Sequence, residues 1–241
     1  MIKIKPEGWK SNAVSTLSRL LAGALDLLFP PSCAACGREG SFLHAGCESG
    51  LPLLRRPNCA LCFGPARGQF CPSCEAAPPA YDGLRAPYSF TGPVRDMVHN
   101  LKYRNIRASA PDLGRLMATY LRSETVPGAV LVPIPLHRRR ERARGFNQSA
   151  LLAREVGTLT GIPVAEGVLR RSRDTAPQVS MAGPVERKEN IEGAFECIGD
   201  VAGLKVLLID DVVTTGSTMS ACAEPLKAAG ASSVWGLALA R

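Results

Sequence analysis

Residues Leu204 to Ser220 read Leu-Lys-Val-Leu-Leu-Ile-Asp-Asp-Val-Val-Thr-Thr-Gly-Ser-Thr-Met-Ser, and this stretch constrains the fold more than any other. Val206 to Ile209 is an unbroken apolar run, the mark of a strand buried on both faces. It ends in two adjacent carboxylates, Asp210 and Asp211, followed by Val212, Val213 and a cluster of small residues, Thr214-Thr215-Gly216-Ser217-Thr218. An apolar helical pattern then runs through Cys222, Leu226 and Ala229. Strand, acidic pair, tight turn and helix N-terminus together describe a binding site for a phosphorylated sugar. The free N–H groups of a first helical turn point at an anion, and the helix dipole favours it. Thr214, Thr215, Ser217 and Thr218 add hydroxyl donors, and Gly216 lets the backbone approach a phosphate closely. Ionised Asp210 and Asp211 are acceptors only, suited to the vicinal hydroxyls of a ribose. A Walker B strand also ends in paired acids, but it needs a G-x-x-x-x-G-K-[ST] loop upstream, which this chain lacks. Reading the acids as the mere start of a turn leaves the run of hydroxyls unexplained.

The cysteines define a second region. Of nine in the chain, seven fall between residues 33 and 74, as Cys33-x-x-Cys36, Cys47 of His44-x-x-Cys47, Cys59-x-x-Cys62 and Cys71-x-x-Cys74. Each two-residue gap lets two side chains converge on one tetrahedral ion. Pairing neighbours gives two zinc sites: Cys33, Cys36, His44 and Cys47, then Cys59, Cys62, Cys71 and Cys74. Disulfides are the rival reading, but an odd number of cysteines with a histidine at the same spacing fits metal better. Protein fills all four positions of each site, so both zincs are expected to be structural. The connecting segments are short and rich in Gly and Pro, so metal must supply the folding energy, about 10–16 kcal/mol apparent per site.

The rest of the chain supplies ordinary globular material, with 46% hydrophobic and 21% charged residues. No apolar run is long enough to span a membrane, and we read the protein as cytoplasmic. Leucines at helical spacing before Pro30-Pro31 predict an amphipathic helix within residues 1–30. A double zinc ribbon over 31–77 follows, and Pro78-Pro79 separates it from an α/β domain over 80–241. In that domain Leu84 to Phe90 reads as a strand, and Val94, Met97, Val98 and Leu101 lie on one helix face. A further helix is expected from Ser109 to Leu121. Another buried strand from Val130 runs into a loop with five arginines between 138 and 144, then a helix with Leu151, Leu152, Val156 and Leu159. Arginine forks at such a strand end match phosphate oxygens, so a pyrophosphate-binding role is favoured for this run. The rival for this run is a nucleic-acid patch, which a net charge of +8 also suits. Residues 168–195 lack a sustained period and read as a lid or binding loop. Cys197 and Cys222 have no partner at knuckle spacing and read as apolar fillers.

The stretch Ile209 to Thr218 resembles the PRPP (5-phosphoribosyl 1-pyrophosphate) loop of type I phosphoribosyltransferases. With the four knuckles, Leu101-Lys102-Tyr103, Pro133-Ile134-Pro135-Leu136-His137 and Arg144-Gly145-Phe146-Asn147-Gln148, the chain resembles the ComF family. Thr175 with Gln178 and Arg187 with Asn190 add to the match, while His44 stands where relatives more often carry cysteine. The resemblance implies a type I phosphoribosyltransferase-like parallel sheet flanked by helices, preceded by a small double zinc ribbon. It implies PRPP binding by Asp210, Asp211, Val212, Val213, Thr214, Thr215, Gly216, Ser217 and Thr218, with Mg²⁺ carried on PRPP. It implies pyrophosphate binding by Leu136, His137, Arg138 and Arg139. Lys102 and Arg170 are expected near the leaving group, and with Asp210 and Asp211 they make up the expected catalytic set. The reaction implied is transfer of phosphoribosyl to a nitrogenous acceptor. The family's link to competence implies DNA or DNA-uptake proteins as partners and leaves a non-catalytic, ligand-sensing role open. An oligomer is compatible with either role.

Overall fold

A computed structural model describes residues 30–54, 57–173, 191 and 193–241. The helix expected before residue 30, and Thr175, Gln178, Arg187 and Asn190, lie outside the described residues.

Four strands form one wholly parallel sheet: β1 (Gly83–Arg85), β2 (Val130–Pro133), β5 (Lys205–Val212) and β6 (Ser233–Ala240), in the spatial order β1-β6-β5-β2. Its helices are α2 (Gly92–Tyr103), α3 (Ala110–Ser123), α4 (Arg138–Arg144), α5 (Gln148–Thr160) and α6 (Ser217–Ala228); a five-residue α1 (Pro72–Ala76) belongs to the cysteine-rich region. A short antiparallel pair, β3 (Leu169–Arg171) with β4 (Phe195–Cys197), packs beside α6.

Both faces of the sheet are covered, which is why β5 reads as a continuous apolar run. Alternate residues go to opposite layers: Val206 and Leu208 join a core with Met219, Cys222 and Leu226 of α6. Leu207 and Ile209 join the other core, with Met97 and Leu101 of α2, Leu113 of α3, and Leu152 and Val156 of α5. Cys222 is fully buried there as an apolar filler, while Cys197 is only half-buried.

Two expectations change. The strand read over Leu84 to Phe90 stops at Arg85, because Pro87 cannot donate to a ladder; Tyr88 returns as an isolated bridge to Leu53 and Ala240. The arginine stretch read as a loop is a helix of about two turns, α4. Arg, Ala and Glu are strong helix formers. His137 caps the start by accepting from the Arg139 N–H at 3.3 Å, and Gly145 ends it in the left-handed region at φ 80°.

The cysteine-rich region is not a free-standing appendage. Leu43 and Leu51 belong to the same core as α2 and α3, and Glu48 pairs with Arg115 of α3. Leu84 of β1 donates its N–H to the Leu61 carbonyl at 2.7 Å. Arg241 donates from Nη1 to the Cys62 carbonyl at 2.6 Å, and Arg85 is stacked against Phe63 and Trp235.

Candidate functional site

Parallel strands deliver their C-terminal ends to one edge, and β5 delivers Asp210 and Asp211 to it. Pro133 of β2 lies opposite Ile209, so the chain leaving β2 is brought to the same place. There Asn147 caps α5: its Oδ1 accepts from Ser149 N–H at 3.0 Å and its Nδ2 donates to the Ile134 carbonyl at 2.9 Å. That cap aims the first turn of α5 at the acidic pair. Ser149 Oγ donates to Asp210 Oδ1 at 2.8 Å, and Gln148 Nε2 donates to Asp211 Oδ1 at 3.3 Å. From the end of α2, Lys102 Nζ reaches Asp211 Oδ2 at 2.5 Å.

The electrostatics follow from this crowding. The Asp211 side chain is 2% exposed and Lys102 21%. Burial works against the Lys102 ammonium, but the charges of Asp211 and Asp210 more than offset it and raise its pKa. Asp210 is pushed up to about 7, first by burial and then by the charge of Asp211, with Lys102 opposing. Asp210 therefore gives up its proton less readily than an ordinary carboxylate. Asp211, expected as an open acceptor for ribose, has its carboxylate occupied from both sides; the half-buried Asp210 is the more accessible member.

The phosphate loop follows. The Val213 N–H donates to the Ala240 carbonyl at 3.0 Å, fixing the loop to β6. Thr215 Oγ1 and Ser217 Oγ share a hydrogen bond of 2.8 Å, and the Ser217 N–H donates to Thr215 Oγ1 at 3.3 Å. Gly216 precedes α6 at φ 83°, and a Cβ there would lie 2.5 Å from Tyr81 Oη. Both facts demand glycine. Gly216 itself brings no side-chain cap to α6; Thr215 takes the Ser217 N–H, and Thr214 lies exposed beside this first turn.

The other expected residues divide. His137, Arg138 and Arg139 sit at the start of α4, with Arg138 and Arg139 exposed. The helical spacing turns Arg140, Ala143 and Arg144 instead toward Lys102, Tyr103 and Asn105, and together they line an open cleft of about 380 Å³. Arg170 is not brought to the acidic pair; it lies on the β3–β4 ribbon, paired with Glu196 at 2.6 Å. Ser149, which sequence reasoning left unassigned, could have been found from Asn147 as a helix cap two residues earlier.

The cysteine clusters are compact. In each of the sets Cys33, Cys36, His44, Cys47 and Cys59, Cys62, Cys71, Cys74 the donor atoms lie within 4.8 Å of one another. Zinc–sulfur bonds of about 2.3 Å place tetrahedral ligands about 3.8 Å apart. Cys36 Sγ is 3.5 Å from His44 Nδ1, and Cys62 Sγ is 3.7 Å from Cys71 Sγ. His44 Nε2 lies 3.2 Å from the Glu39 carbonyl, an acceptor only, so Nε2 carries the proton and Nδ1 offers its lone pair to a metal. The Arg38 guanidinium, hydrogen-bonded to Cys36, lowers that thiol to about 5 and favours the thiolate a metal needs. Both donor sets fit zinc.

Residues 142–240 match the phosphoribosyl transferase domain family. The DNA utilization protein YhgH of Salmonella typhi is 35% identical over 219 residues, spanning 86% of this chain and 96% of that one. The chain belongs to the ComF family. Competence protein F of Haemophilus influenzae is 27% identical over 211 residues, spanning 82% of this chain and 90% of its own. Competence protein ComFC of Bacillus subtilis is 30% identical over 207 residues, spanning 78% and 80%. In this ComF-family chain the parallel sheet with flanking helices is phosphoribosyltransferase-like, and the N-terminal cysteine clusters are those of a double zinc ribbon. Among the described residues no helix is long and apolar enough to cross a membrane.

Proposed function

We propose that this chain binds PRPP and transfers its phosphoribosyl group to a nitrogenous acceptor with release of pyrophosphate. The observation that carries the reading is the loop after β5: an acidic pair at the end of a central parallel strand, then Gly216 at positive φ opening α6. In this reading Thr214 to Thr218 hold the 5-phosphate through hydroxyls and N–H groups, while Asp210, with Asp211 behind it, accepts from the ribose hydroxyls. The turn from Leu136 to Arg139 receives the pyrophosphate end. The bond from C1 to the pyrophosphate oxygen breaks with the electron pair leaving on oxygen. A nitrogen lone pair forms the new bond to C1, and its proton passes to solvent. The carboxylates favour the positive charge that develops on the ribose ring, and the basic groups favour the departing anion. With PRPP bound, Mg²⁺ carried on it would supply charge neutralisation of the pyrophosphate. Two structural zincs, one per cysteine cluster, complete the folded protein.

A titration with Mg²⁺–PRPP, followed by incubation with a panel of bases, tests the reading. Binding plus pyrophosphate release above hydrolytic background is expected. Absence of PRPP binding by folded, zinc-loaded protein would sink it.

A second reading is favoured by the exposed Arg138, Arg139 and Arg142 on α4 and by Tyr103, which is 65% exposed with Arg144 over its ring at 5.8 Å. Cations around an aromatic ring suit single-stranded DNA, and relatives carry the names DNA utilization protein and competence protein. Here the PRPP pocket serves as a sensor in DNA uptake. Replacing those arginines by alanine separates the two: DNA binding should weaken for every sequence and lose part of its salt dependence.

A further inference from the structure

The two cysteine clusters serve opposite layers of the sheet. Cys33 of the first, with Leu43 and Leu51, joins the core of α2, α3 and α5. Phe63, next to Cys62 of the second, joins the core on the α6 side with Tyr81 and Met219. Three successive carbonyls of the Cys59-x-x-Cys62 knuckle are taken by the α/β domain. Ala60 accepts from Arg85 Nη1 at 3.2 Å, Leu61 from the Leu84 N–H at 2.7 Å and Cys62 from Arg241 Nη1 at 2.6 Å. The segments that supply these donors also reach the phosphate loop. Ala80 donates its N–H to Ser220 Oγ at 3.0 Å, in the first turn of α6. Tyr81, 2% exposed, has its Oη against Gly216, 2.5 Å from where a Cβ would stand. Ala240, next to Arg241, accepts from the Val213 N–H at 3.0 Å.

We propose that Tyr81 is a positioning residue of the phosphate loop, held there by the second zinc knuckle, so that closure of that knuckle governs affinity for a sugar phosphate. Cys59, Cys62, Cys71 and Cys74 drawn onto one ion fix the carbonyls that Leu84 and Arg241 hold. With the knuckle open, β1 and the last residue of the chain lose those acceptors. Tyr81 and Ala240 then lose the support that presents them to Gly216 and Val213. Metal in this knuckle and sugar phosphate in the loop favour one arrangement of the chain, so each tightens the other. The first cluster, on the other layer, stabilises the fold without this link. The role given to Tyr81 presupposes the PRPP reading of the loop, which by itself requires nothing of the cysteine region.

Calorimetry with ribose 5-phosphate, on full-length protein of measured zinc content, tests it. Cys71→Ser, which opens the second cluster, should weaken ribose 5-phosphate at least about fivefold more than Cys36→Ser, which opens the first; this lies within the ordinary range of coupling. Linkage then requires ribose 5-phosphate to tighten one zinc of the two in wild type, by at least about fivefold in competition with a chelator. A second arm keeps both zincs in place and decides the matter even where Cys71→Ser fails to fold. A Cβ at Gly216 meets Tyr81 Oη first, and the next ring atom is 3.4 Å away, so Tyr81→Phe removes the clash while φ 83° still strains alanine. Gly216→Ala should therefore weaken ribose 5-phosphate less in a Tyr81→Phe background than in wild type, by at least about threefold, within the range of direct couplings. Simple additivity of those two substitutions, equal losses in the two cysteine variants, or zinc affinity indifferent to ribose 5-phosphate would overturn the proposal and leave the PRPP reading standing. Ribose 5-phosphate failing to bind zinc-loaded wild type would overturn the sugar-phosphate reading of the loop, and the role of Tyr81 with it.

Discussion

Replacing Lys102 by methionine keeps most of the side-chain volume and removes the ammonium from Asp211. The aspartate is 2% exposed, so water cannot take the place of the lost cation without opening the structure. Removing one partner of a buried pair costs about 3–5 kcal/mol, chiefly because the other charge is left behind. For a domain of this size each kcal/mol moves Tm by about 2–4 °C, so Lys102→Met should lower Tm by about 6–20 °C at pH 8. Asp210 sharpens the effect, since it repels Asp211 whenever both are ionised. Its pKa is raised to about 7, so at pH 6 it holds its proton in the native state and the loss should shrink. Lys102→Met combined with Asp211→Asn removes both charges and should recover much of the stability. Urea unfolding of wild type, both single variants and the double variant completes the cycle. A Lys102→Met protein within about 0.5 kcal/mol of wild type, smaller than any cost expected for a buried pair, would refute the reasoning. So would single-variant losses that simply add.

Three other outcomes follow from the geometry. The raised pKa of Asp210 means that its contribution to stability is fully present below the ordinary carboxylate range and is lost as pH rises to about 7. Thermal melts should therefore find Asp210→Asn more stable than wild type at pH 8 and no better at pH 4, while its PRPP affinity falls about ten- to hundredfold for the lost charged hydrogen bond. Gly216→Val places a β-branched residue at φ 83° against Tyr81 and should cost about 1–3 kcal/mol in denaturant unfolding as well as abolishing PRPP binding. A strong chelator should release two zinc ions per chain by colorimetric assay and lower the Tm of the α/β domain too, because Leu43 and Leu51 are part of its core. An unchanged domain Tm after zinc loss would show that the shared core carries no stability.

The sheet and its helices were legible because their signals are local. Val206 to Ile209 could only be a two-sided strand, and the spacing of Val94, Met97, Val98 and Leu101 could only be one helix face. The arginine run misled because charge invites a loop, whereas the intrinsic propensity of Arg-Arg-Arg-Glu-Arg-Ala-Arg is helical and Gly145 marks its end. The difference bears on the site. Read as a loop, the first arginines look like the phosphate ligands; as a helix, the face bearing Arg140 and Arg144 meets Lys102. The lock on Asp211 was not legible from spacing, since Lys102, Gln148 and Asp211 come together only through tertiary packing. Each of these residues belonged to a stretch recognised from the family resemblance, yet nothing local says that they touch. The docking of the cysteine region was invisible for the same reason: Leu43 and Leu51 look like isolated leucines between knuckles until the surface that buries them is present.

The strand order has a consequence for how the chain is made. β1 pairs with β6 alone within the sheet, so the first strand to be synthesised waits for the last before it acquires a neighbour. The cysteine clusters emerge earlier still, and metal can close them long before their docking surface exists. Arg241, which reaches back to the Cys62 carbonyl, is added about 180 residues after that cysteine, which at typical rates of about 5–20 residues per second is a delay of about 9–36 seconds. During that interval β1 and the apolar sides of the zinc knuckles are exposed to other chains. Translation speed and zinc supply should therefore govern the yield of native protein more than the stability of the finished fold does.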